Sequence, residues 1–175
     1  MKIEEYAWNE HEQKLKRKQI GFRPSSPKIK IVDDIHLRNL IEERIESLPQ
    51  KEVAKWALKL SLEYLVFLDE HLKDDPRINL GIKTLEERIE GNIRAYDLRQ
   101  VGFLVNQLAK ESKTDKSKYS ARTFAQAIAT GHMRGHAMVC SDYAIKVTNG
   151  LTDNSLEMAT KERERQLEMF SKWLK

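Results

Sequence analysis

Tyr119 to Asn149 reads YSARTFAQAIATGHMRGHAMVCSDYAIKVTN, a run without proline in which Arg134, Asp142 and Lys146 are the only formal charges between Thr123 and Val147. In a chain whose residues are 33% charged, so apolar a stretch belongs inside. Wound at about 100° per residue, it predicts one helix over about 120–149, capped at Ser120. Gln126, Thr130, Arg134, Ser141 and Thr148 then form a narrow polar stripe. Ala125, Ala129, His132, His136, Cys140 and Tyr143 lie opposite, while Gly131, Gly135, Met138 and Asp142 line an adjoining face. A helix apolar round most of its girth is one that other helices surround.

The flanks supply the surrounding helices. Asn149-Gly150 reads as a stop. A last helix then opens at Thr152 or Asp153, with Leu156, Ala159, Arg163, Leu167, Phe170 and Leu174 as its seam, joined by Trp173. Upstream, the charged run 110–118 predicts an exposed loop. A helix opening near Asp97 turns Leu98, Val101, Leu104, Val105 and Leu108 inward, and Asp74-Asp75-Pro76-Arg77 is a helix start with an N-cap carboxylate and proline in the first turn. Gln50 to Leu72 carries a wide apolar face through Val53, Trp56, Leu60, Tyr64 and Phe67 and ends on His71, a surface or capping position. Asp33-Asp34 opens a helix that Pro49 closes. Gly21 to Pro27 is the clearest break. No alternating strand pattern, glycine-rich phosphate loop or internal repeat interrupts the helical signal. The expectation is an all-α, single-domain bundle of about six or seven helices, the arm's included, around the small-residue-rich central helix, with the helical domain over 31–175. An arm at 1–30, a short helix and a Pro/Ser linker, packs on the body or wraps a neighbour.

Of the 31 basic and 27 acidic residues, eight and four lie in 1–30, leaving 23 of each for the rest. The net +4 therefore belongs to the arm. Lys14, Lys16, Arg17 and Lys18 can touch phosphates, but no aromatic platform or nucleic-acid motif accompanies them, which favours a solvated arm over a nucleic-acid contact. A single cysteine, Cys140, excludes an intrachain disulfide and fits a reducing compartment. No run approaches a signal peptide or a membrane span, so a cytoplasmic protein without membrane contact is expected.

His132 and His136, four apart, share one face of the expected helix. Metalloproteases use this spacing in H-E-x-x-H, but here the motif is His132-Met133-Arg134-Gly135-His136, without the glutamate base. A divalent metal can still take both imidazoles, with Cys140 one turn on as third ligand. Buried histidines satisfied by ordinary hydrogen bonds are the commoner case. Gly131 and Gly135 each cost a helix interior up to about 1 kcal/mol relative to alanine, and close packing explains them better than an open cleft floor. Asp142 can pair with Lys146; if buried, it needs a base such as Arg122, Arg77 or Arg99.

The run Ala129-Thr130-Gly131-His132-Met133-Arg134-Gly135-His136-Ala137, followed by Tyr143-Ala144-Ile145-Lys146, resembles the tail of bacterial immunity proteins of the immunity-five-like type. Asp75-Pro76-Arg77 with Ile82, then Glu90-Gly91-Asn92-Ile93, is similar to that family's D-x-R segment and short turn. The likeness spans about Glu52 to Asn149 and leaves out the arm and the last helix. It implies a helical, non-enzymatic protein that binds and neutralises a toxin, with His132 and His136 as signature residues and no catalytic assignment. Three readings follow: the immunity-like interaction protein, which lacks any complete catalytic constellation; a metal or small-ligand site at His132 and His136, with or without enzymatic activity; and nucleic-acid contact through the arm. Self-association through the arm and last helix is compatible with each.

Overall fold

The structure, a computed structural model, describes residues 1–173. It is all-helical: α1 (Ile3–Tyr6), α2 (Glu10–Lys18), α3 (Ile35–Glu46), α4 (Gln50–Leu62), α5 (Pro76–Ile89), α6 (Ala95–Glu111), α7 (Asp115–Ala129), α8 (His136–Leu151) and α9 (Leu156–Trp173), with short 3-10 turns at Leu65–Phe67 and Glu70–Leu72. Among the described residues there are thus nine helices, and two splits account for the excess over seven. The arm helix divides at Ala7–Asn9, and the expected central helix divides at Thr130–Gly135 into α7 and α8. The apolar stretch that decided the fold is therefore a helical hairpin, whose two arms pack on each other more extensively than any other pair.

Other boundaries moved for local reasons. α4 ends at Leu62, and the rest of its expected face continues through the 3-10 turns. His71 is exposed there, its Nε2 3.3 Å from the Glu111 carbonyl. The charged run folds into the end of α6 and the start of α7, leaving three residues as linker. The Asp69 carboxylate accepts from the Lys113 and Thr114 amides and the Thr114 hydroxyl, and Thr114, not Ser120, caps α7. α8 passes Gly150, and the Asn149 side chain bonds both the amide and the carbonyl of Val32 at 2.8 and 2.9 Å. The chain turns instead at Asp153 and Asn154, both at positive φ, which these short polar residues tolerate.

The core has two lobes. One joins Ile41 and Ile45 of α3, Trp56 and Leu60 of α4, Cys140 and Ala144 of α8 and Phe170 of α9, with Trp56 stacked on Phe170 at 4.5 Å. The other joins Leu72, Leu85 of α5, Leu98 and Val105 of α6 and Phe124 and Ile128 of α7. α4 and α7 contribute to both. In α9, Ala159, Arg163 and Phe170 are buried as the seam requires, but Leu156 is exposed; Leu174 and the Trp173 side chain lie outside the described residues. The arm packs on the body: Tyr6 and Ala7 are buried, the Tyr6 hydroxyl donates to Glu46, and the Arg88 guanidinium lies 5.0 Å over the Trp8 ring. Among the described residues no helix is long and apolar enough to cross a membrane.

Candidate functional site

The turn between α7 and α8 carries the residues singled out from the sequence. Two glycines weaken a helix here, and the local bonding does the rest. Thr130 turns its hydroxyl back to the Ala127 carbonyl at 2.5 Å, and Gly131 slots beneath Leu85 and Leu98, where an added Cβ would stand 2.8–3.0 Å from their methyls. Close packing is thus the reason for Gly131, against side chains of α5 and α6. Gly135 is different: a Cβ there would meet only Glu12 Oε1, at 3.7 Å.

Arg134, expected on the narrow polar stripe, is buried in this turn. Its guanidinium donates to the carbonyls of Tyr6, Ile45 (2.6 Å) and Leu48 (3.1 Å) and lies 3.7 Å from the centroid of the Tyr6 ring. The first free amides of α8 are met by the arm. Glu12 accepts from the Arg134 and Gly135 N–H groups at 3.0 and 3.1 Å, an anion at a helix N-terminus. Burial raises the Glu12 pKa even so. Gln50 completes the tie, taking the Trp8 amide at 2.6 Å and donating to the Thr130 carbonyl at 2.7 Å.

The break in the helix also redistributes the candidate ligands. His136 is the first residue of α8, and its Nδ1 lies 2.7 Å from Gln126 Oε1. With that oxygen as acceptor, Nδ1 carries the proton and Nε2 the lone pair. Burial, then the nearby charges of His132 and Lys28, pushes the ring down to about 4. His132 sits in the turn with Nδ1 buried and unpartnered, its pKa lowered by burial and then by Arg99 and Arg88. Cys140 faces away into the core. It is fully buried, 3.7 Å from the Ala57 carbonyl, and burial pushes its thiol well above the usual range, which leaves it unsuited to nucleophilic or ligand chemistry. Among the described residues no three His, Cys, Asp or Glu side chains are grouped so as to hold a metal ion.

Asp142 is buried, and its bases are none of those expected. Arg38 of α3 grips it with Nε and Nη2, both at 2.9 Å, and Arg163 of α9 adds a bond at 2.8 Å. Arg163 also holds Asp33 at 2.9 and 2.7 Å and the Ser141 hydroxyl at 2.5 Å. Arg122 instead bonds Asn106. Arg77 links Asp75, which caps α5, to Glu111 of α6, and Lys146 reaches the Lys30 carbonyl. The sequence did hold one clue to this cluster: a charged residue, Arg163, in the middle of an apolar seam needs a buried acid to justify it. Arg38 and Glu12 gave no such signal. Tyr143 stacks on Tyr119 at 6.2 Å between centroids.

Between the arm, α3 and the start of α8 lies a cleft of about 890 Å³, lined among others by Leu15, Lys28, Ile29, His136, Val139 and Tyr143. The polar groups at its base, Arg38, Arg134 and Asp142, are already bonded within the chain. Their arrangement braces the arm, α3, α8 and α9 against one another.

A family model described as Imm-5 like putative immunity protein matches residues 43–172. The match takes in most of α9, which the sequence resemblance had left out, and excludes the arm. No curated protein matches the chain, and no solved structure does.

Proposed function

The chain belongs to the Imm-5 like putative immunity protein family, and from that premise we propose that it binds one bacterial toxin and blocks it as a stoichiometric complex, without catalysing a reaction. The family match carries this reading. The bonding in the signature turn and in α8 supports it: Arg134, Asp142, Gly131 and Cys140 are occupied in holding helices together. What they brace is a rigid helical surface, and blocking by a complementary surface needs no chemistry.

The test has two arms. The tagged chain is used to capture protein from extracts of its source cell, and the captured protein is then produced separately in a susceptible host. The expected result is growth arrest by that protein alone, rescue by co-production of the chain, and a stable complex of defined ratio by light scattering. Capture of nothing in near-stoichiometric amount, or arrest that the folded chain does not relieve, overturns the proposal.

A further inference from the structure

α6 packs on α5 and α7 and buries Leu98, Val105, Leu108 and Ala109. At about 100° per residue, Tyr96, Gln100, Phe103 and Gln107 share its outward side, with Leu104 at one edge. Tyr96 is 62% exposed, Phe103 58% and Leu104 48%. Gly81 of α5 sits against Val105, which brings its neighbour Leu80, 41% exposed, to the same edge. Single exposed apolar residues are ordinary. A strip with two aromatic rings, two leucines and an arginine, Arg99, on its flank has the composition of an interface centre instead.

The charges on the Arg99 side of the strip are one-sided. Asp97 is paired with Arg94 and Glu111 with Arg77, while Glu87, near Leu80 on α5, is bonded to the neutral Asn92 amide and keeps its charge. Arg99 and Lys110 are exposed and have no acidic partner among the described residues. Lys83 and Glu86 both lie on the side of α5 turned away from α6. Desolvating these two cations, Arg99 and Lys110, without counter-charges would oppose binding, so a partner must bring carboxylates to that side. A second copy of this face would bring cations against cations.

We infer that the outward face of α6, with Leu80 of α5, receives the partner protein, and that the partner's matching surface is an apolar hollow bordered by carboxylates. The inference rests on the proposed function and names the surface and charge of that complex.

The probe is the purified protein captured and shown to be toxic in the experiment above, titrated with the chain at two salt concentrations. Phe103→Ala is expected to weaken binding about thirtyfold, the scale of a hot-spot residue. Arg99→Glu with Lys110→Glu is expected to slow association and to remove most of its salt dependence. Lys14→Glu with Arg17→Glu, on the exposed side of the arm, is the control and should change binding less than about twofold. These residues are exposed, so helix content should be retained. Wild-type binding that survives the α6 substitutions overturns the inference and leaves the function standing. Failure of the wild type to bind overturns both. Sedimentation showing that the chain alone dimerises, and that Phe103→Ala abolishes the dimer, assigns the face to a second copy and also overturns the inference.

Discussion

Gly131 and Gly135 are four residues apart in one turn, yet their surroundings assign them opposite responses to the same substitution. Gly131→Ala drives a methyl into Leu85 and Leu98 and is expected to cost about 1–3 kcal/mol. Gly135 has right-handed helical backbone angles and free space around it, so Gly135→Ala should be neutral or stabilise by up to about 1 kcal/mol. Urea unfolding of the two variants, side by side, checks both. His136 allows a sharper statement. Its folded pKa, about 4, lies below the ordinary value of 6.5, so the unfolded chain takes up the proton first as pH falls. The stability attached to the neutral ring is whole above about 6.5 and is lost progressively toward 4, about 2 kcal/mol by pH 5. Glu12, raised by burial, acts in the other sense, adding stability as pH drops through the carboxylate range. His136→Asn, whose amide can donate where Nδ1 stands, should flatten the loss between pH 7 and pH 5. An unchanged slope would mean that another group titrates there.

At the scale of elements, the start of α8 depends on a residue more than a hundred positions away. Glu12→Ala frees the Arg134 and Gly135 amides and should cost about 1 kcal/mol. Hydrogen exchange reads this directly: both amides are expected to exchange faster in the variant while the middle of α8 stays protected. The same contact explains what the sequence could and could not yield. Apolar periodicity locates α3, α4, α5, α6 and α9, since each needs only its own residues to display a face. The division of 120–149 into α7 and α8 was not legible in that way. Periodicity runs smoothly through Thr130–Gly135, and what turns the chain there is the wedge of Leu85 and Leu98 over Gly131, the Arg134 guanidinium in three distant carbonyls and the Glu12 cap. The two glycines marked the place without saying what would fill it. Likewise Asp142 in an apolar run announced a buried counter-charge. Which arginine answered depended on how α3 and α9 cross α8, and no local pattern records a crossing.

Taken whole, the chain should unfold in one step although its core has two lobes. α4 supplies Val53, Trp56 and Leu60 to one lobe and Ala54 and Leu58 to the other, and α7 divides its residues likewise. Neither lobe can open without disturbing helices that the other requires. Tryptophan fluorescence and far-ultraviolet circular dichroism are therefore expected to give coincident urea transitions; separate midpoints would show that the lobes are independent. The cluster of Asp33, Arg38, Asp142 and Arg163 ties α3 and the segment ahead of it to α8 and α9. Asp142 and Arg163 fall within the family match and Asp33 and Arg38 before it. Losing any one of the four strands a buried charge, at about 3–5 kcal/mol, whereas exchanging all for well-packed apolar residues can be neutral. Over evolutionary time these positions are therefore yoked: a lineage cannot drift at one of them without passing through a crippled ancestor. Relatives that have lost Arg163 should have lost Asp33 with it, so the segment ahead of the matched region keeps an inheritance in step with a helix at the other end of the molecule.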